Sequence, residues 1–177
     1  MRRSSLALVA VAALAGCARR EAPPPAAPAP RPPAAAEPGR ALPAPQAYVA
    51  TASSLDQLMI RSAGLAALRA RDPRLRDFAA RVKSDHEAIA AQLSFAGRRI
   101  NQLPTGRLLD NHAARLAALE ASSDFDSAYR REMARSLAAA YEYHARYAAR
   151  GDSPTLRPVA RFAADTIARN VERLRSL

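Results

Sequence analysis

The sequence is poor in the residues from which most active sites are built. It has one cysteine, three histidines (His86, His112 and His144) and no tryptophan. A single cysteine excludes an internal disulfide, a cysteine-rich zinc site and a Cys-x-x-Cys redox step. No His-Glu-x-x-His, glycine-rich phosphate loop or Ser-His-Asp arrangement is present. Of the six glycines, Gly16 and Gly39 precede the helical part of the chain. Lys83 is the only lysine, so the positive charge rests almost wholly on arginine. Strand-like alternation is missing after Ala47, which leaves helices as the means of building a core.

The first residues read as a leader. Arg2 and Arg3 form a positive region, followed by the apolar run "LALVAVAALAG", too short to span a membrane. "LAGC" (Leu14 to Cys17) resembles a bacterial lipobox, in which cleavage precedes the cysteine and lipid is attached to its sulfur. Residues 1–16 are therefore expected to be a lipoprotein signal peptide, with Cys17 lipidated. The next residue is Ala18 instead of an aspartate that would resemble an inner-membrane retention signal. The expected location is the outer membrane of a Gram-negative cell, with the protein lipid-anchored and its domain in the periplasm.

Residues 17–46 form the second expected segment. Ten of the fourteen prolines fall between 18 and 46, where fixed φ angles and missing donors oppose both helix and ladder. The expectation is an extended tether, with a reach on the order of 90 Å at about 3.1 Å per residue.

The net charge is +11, or +9 without Arg2 and Arg3 (25 basic against 16 acidic residues). Arginines are spread over the helices and accompanied by acids, as in "RDPRLRDFAARVKSD". Solvated helix faces account for this pattern, and nucleic acid is not an expected partner of an exported, anchored chain.

From Ala47 to Leu177 the pattern becomes amphipathic. The spacing predicts a helix over about 47–70 and a second from Asp72-Pro73 to about Asn101. A shorter helix is predicted over about 105–121. A fourth starts from a capping box of Ser123 with Asp126 and stops at Gly151, and a fifth is capped by Ser153-Pro154. Four helices of more than twenty residues joined by short turns predict an all-α antiparallel four-helix bundle. The short third helix would lie across one end or fill the crossover between the two pairs.

"FAARVKSDHEAIAAQL" (Phe78 to Leu93), "LP" (Leu103, Pro104) and "FDSAYRREM" (Phe125 to Met133) resemble the family of the domain of unknown function 4142, a set of exported bacterial helical-bundle proteins. The resemblance covers about Tyr48 to Leu174 and implies a ferritin-like fold. The family pattern implies an acid in the first helix and histidines in the second, fourth and fifth. Here the second-helix histidine is His86. The other two positions correspond to Ser136 and Asn170, and the acid falls at Asp56 or Gln57.

The residues themselves point the same way. Di-metal bundles use carboxylates with Glu-x-x-His steps, yet Lys83, Leu109 and Tyr141 stand three residues before the histidines. Asp85 and His86 lie about 100° apart around a helix and cannot both face one ion. His86, between Val82 and Ile89, and His144, between Ala140 and Tyr147, are expected on apolar faces as hydrogen-bonded core residues. The leading expectation is a non-enzymatic envelope lipoprotein without cofactor or metal. It would be a structural or interaction module in envelope stress tolerance, held to the membrane through Cys17. An envelope protein or an anionic polymer would be its partner. One alternative is a metal- or small-ligand-binding, redox-capable bundle using His86 and His144 with Asp56 or Glu142. The other is binding of anionic envelope polymers through arginine-rich faces, which would need a contiguous arginine face without its acids.

Overall fold

The computed structural model describes residues 42–177. The expected signal peptide, Cys17 and most of the proline-rich segment lie outside the described residues. Five helices follow in order: α1 Pro45–Arg69, α2 Pro73–Arg99, α3 Asp110–Glu120, α4 Phe125–Arg150 and α5 Arg157–Arg175. Among the described residues no helix is long and apolar enough to cross a membrane.

Proline sets three of the helix starts. Pro45, Pro73 and Pro158 occupy the first turns of α1, α2 and α5, where the missing donor costs nothing and φ is already helical. Helix α1 thus begins two residues before the expected boundary at Ala47. Asp72 caps α2 by accepting from the Arg74 N–H at 2.9 Å. The expected Ser123–Asp126 capping box does not form. Asp124 is the N-cap of α4 and accepts from the Ser127 N–H. Asp126 instead takes the backbone N–H groups of Arg71 and Asp72, at 2.9–3.1 Å. Those groups belong to the corner before α2, where the chain has no helical acceptor for them.

Helix α5 also starts later than expected. Ser153 caps a turn through Leu156, and the helix runs 19 residues from Arg157. Residues 101–109 are irregular, so residues 105–109, predicted to begin the third helix, stay outside it. Asn101 and Gly106 have positive φ, and the Leu109 N–H is held by the Ser54 hydroxyl of α1 at 2.8 Å.

The side-chain pairings define the topology. Asp56 meets His86, Tyr48 meets His144 and Tyr147, and Asp85 meets Arg173. Helix α1 is therefore antiparallel to α2 and α4, and α5 is antiparallel to α2 and α4. Helices α2 and α4 consequently run in the same direction, and the chain must return between them. Residues 100–124 make that return, with α3 laid over the groove between α1 and α4. Its start is tied to Ser54 and its end to Arg69, which donates to the Leu119, Glu120 and Ser122 carbonyls. One long crossover in a four-helix bundle is the ferritin-like connection. The third helix thus fills the crossover and does not lie across an end.

Two apolar clusters form the core, and both draw on residues 48–171 of α1, α2, α4 and α5, with Leu119 of α3 and Leu156 of the α4–α5 turn. The larger cluster contains Leu55, Met59, Val82, Ile89, Met133, Leu137 and Ile167. The smaller contains Tyr48, Ala52, Leu93, Tyr147, Leu156 and Ala160. The changeover falls between Ala52 and Leu55 on α1, between Ile89 and Leu93 on α2, and between Ala140 and Tyr147 on α4. Polar side chains gather at that level.

Candidate functional site

Three of the four candidate residues are buried in the core. Asp56, His86 and His144 are at 0%, 0% and 1% exposure. Each is placed by the same spacing that places the apolar residues around it: Ala52, Asp56 and Met59 on α1, Val82, His86 and Ile89 on α2, Ala140, His144 and Tyr147 on α4. His86 Nδ1 donates to Asp56 Oδ1 at 2.8 Å. His144 Nδ1 is 2.9 Å from the Tyr48 hydroxyl. Tyr48 in turn stacks on Tyr147, with ring centroids 3.7 Å apart, and on Tyr143 at 5.5 Å. Asp56, and not Gln57, is the inward acid of α1; Gln57 is only partly buried.

Glu142 does not belong to this group. It is exposed, and it lines a surface groove between α4 and α5 with Tyr141 and Val171. The reason is helical geometry, since a residue two places from His144 points about 200° away from it. The inward positions Ser136 and Asn170 are both buried. Ser136 faces α3, donating to Glu132 and accepting from Arg115. Asn170 accepts from Arg173, which also pairs with Asp85 of α2 at 3.3 Å. Asp85 and His86 thus point apart, one to the surface pair and one to the core.

Burial dominates the electrostatics. It pushes the Asp56 carboxyl up, against the opposite pull of the His86 hydrogen bond and charge. It pushes the Tyr48 hydroxyl well above the ordinary phenol range. The His144 imidazole falls to about 3, first through burial and then through the nearby His86. His144 is therefore neutral at physiological pH.

Four polar atoms at this level have no hydrogen-bond partner: Asp56 Oδ2, His86 Nε2, His144 Nε2 and Asn170 Nδ2. In its neutral form, a His86 ring that donates from Nδ1 to Asp56 has a lone pair on Nε2. A ring whose other nitrogen is held by a carboxylate is the usual posture of a metal-binding histidine. The donor set is short, however. Among the described residues no three His, Cys, Asp or Glu side chains converge as an ion would need, and zinc requires three or four ligands. The pair offers two nitrogens and does not fit such a centre.

The sequence does not reveal two further features. His112 is a clamp for the crossover, 2.6 Å from the Ser54 hydroxyl, and burial lowers its pKa. Glu132 is a buried carboxylate held by Arg115 at 2.7 Å and Arg135 at 2.6 Å. The only sequence signal for the latter is the i,i+3 step from Glu132 to Arg135, which an exposed helix face would show equally.

No curated protein sequence matches the chain. Among solved structures, the bundle is similar to that of "CopM in the Cu(II)-bound form", with a TM-score of 0.65 and 15% identity. That likeness covers 77% of this chain and 96% of the other, and it shows a shared fold. The model of the domain of unknown function DUF4142 matches residues 29–177, and the chain belongs to that family.

Proposed function

We propose that the chain is a non-enzymatic envelope lipoprotein, anchored in the outer membrane through lipid on Cys17, whose bundle serves as an interaction module in envelope stress tolerance. The observation that carries the non-enzymatic part is the sealing of the candidate chemistry. Asp56, His86 and His144 are all but inaccessible, and their inner nitrogens and oxygen are held by one another or by Tyr48. No substrate reaches these atoms without opening the bundle. The lipobox at Leu14–Cys17 supports the anchoring. Its test is fractionation of a Cys17→Ser variant. Loss of the protein from the membrane fraction is expected, and unchanged processing and partition would refute the anchor.

A second reading has one specific observation in its favour. His86 and His144 present unpartnered Nε2 atoms from two helices, and the similar solved bundle is described as copper-bound. A soft ion satisfied by two imidazoles would suit that pair. Titration with cuprous and cupric ions decides it: one equivalent bound, and lost in both His86→Gln and His144→Gln, would establish this reading.

A further inference from the structure

Four helix ends meet at the end of the bundle where the chain enters α1. The start of α1, the close of α2 and α4 and the start of α5 are joined there by the cluster of Tyr48, Leu93, Tyr147, Leu156 and Ala160. Residues 94–103 and 146–165, which lead into and out of this end, hold six arginines and only two acids, Asp152 and Asp165. Arg98, Arg99, Arg150, Arg157 and Arg161 are all exposed. Among the described residues none of these five forms an ion pair.

The opposite end is different. There Arg74 and Arg130 pair with Asp72, and Arg175 pairs with Glu172. The arginines that look evenly spread along the sequence thus include ion-paired ones at one end and, at the other, five exposed ones without an ion pair.

Large apolar side chains accompany the uncompensated arginines. Phe95, Leu103 and Phe162 are 58%, 61% and 41% exposed. Phe95, Arg98 and Arg99 stand at i, i+3 and i+4 on the outward face of α2, and Pro158, Arg161 and Phe162 repeat that spacing on α5. Arginine beside exposed phenylalanine suits the boundary between lipid headgroups and acyl chains. The guanidinium meets phosphate there, and the ring enters the apolar layer. A soluble partner surface would not require the charge to be so one-sided.

We propose that this end of the bundle docks on the surface of an anionic phospholipid bilayer. The choice of occupant rests on charge complementarity and on where the chain leads. Pro45 lies at this end, so the chain enters the described bundle at the docking face. The proposal deepens the interaction-module reading and uses its membrane location. Lipid on Cys17 would hold the domain near the bilayer, and the arginine face would orient it, adding a second signal to the anchor.

Co-sedimentation of the chain from Ala18 onward tests this without any lipid on the protein, and so separates it from the anchoring claim. The probes are phosphatidylethanolamine vesicles with and without phosphatidylglycerol. Binding to the phosphatidylglycerol vesicles alone, weakening with added salt, is expected. The combined Arg98→Gln, Arg99→Gln, Arg157→Gln and Arg161→Gln variant should bind on the order of a hundredfold more weakly. Phe95→Ser with Phe162→Ser should lower binding by a smaller factor. Arg81→Gln with Arg175→Gln, away from this end, should leave it unchanged. Circular dichroism confirms that each variant keeps its helices. Equal binding to neutral vesicles, no binding to either, an equal loss in the Arg81 and Arg175 variant, or full binding by the fourfold variant would each overturn the proposal. So would preferential binding to vesicle-free anionic polysaccharide.

Discussion

Asp56 on α1 and His86 on α2 are joined by a 2.8 Å hydrogen bond between two side chains that solvent does not reach. In such surroundings the two groups depend on each other, because removing one partner leaves a buried polar group unsatisfied. Asp56→Ala is expected to lower stability by about 3 kcal/mol, the cost of breaking a buried pair. His86→Gln can keep one hydrogen bond to the carboxyl and should cost about 1–2 kcal/mol. Urea unfolding of the two variants checks the order, and a milder effect for Asp56→Ala would show that the bond is not structural.

The helices and their order are legible in the sequence because apolar residues recur at helical spacing and prolines mark the starts. The inward placement of His86 and His144 follows from the same spacing. Choosing Asp56 over Gln57 needs the fold, since neighbouring residues differ by only about 100° and either could face a partner. Glu142 is the opposite case, because its position two residues from His144 already excludes it from the same face. The irregular stretch 101–109 has no local signature. It is held by Ser54, more than forty residues away. The Arg115–Glu132 pair is equally non-local, and a buried carboxylate looks in sequence like any solvated one. The arginine face is invisible for the same reason, as it is assembled from α2, α4 and α5.

His144 makes stability depend on pH in a definite direction. Its native pKa is about 3 against an ordinary 6.5, so the unfolded chain binds the extra proton between those values. Its contribution is complete above about pH 6.5 and is lost as pH falls towards 3. Asp56, with a raised pKa, acts oppositely, favouring the folded state once its carboxyl is protonated. His86, Tyr48 and Asp56 are the other titratable groups at this level. A His144→Leu variant removes the imidazole contribution alone. Between pH 6.5 and 4.5 the parent should lose up to about 2–3 kcal/mol more than this variant. Parallel stability curves for the two proteins would contradict the assignment.

Glu132 fastens the crossover. It accepts from Arg115 on α3 and from Arg135 and Ser136 on its own helix. Glu132→Gln should lower stability by about 1–3 kcal/mol and speed amide exchange over Asp110–Glu120, with little change in α5. Uniform acceleration across all helices would show that α3 does not open as a separate unit.

The polar core of Asp56, His86, His144 and Tyr48 is proposed to be structural, its Asp56–His86 and Tyr48–His144 hydrogen bonds made without a metal ion. Elemental analysis of the purified, folded protein after growth in medium replete with iron, manganese, zinc and copper tests this directly. The expected result is less than a stoichiometric amount of every metal, with the same traces in the His86→Gln variant. One tightly held metal per chain, lost on substituting His86, would contradict the account and make the histidine pair a metal site.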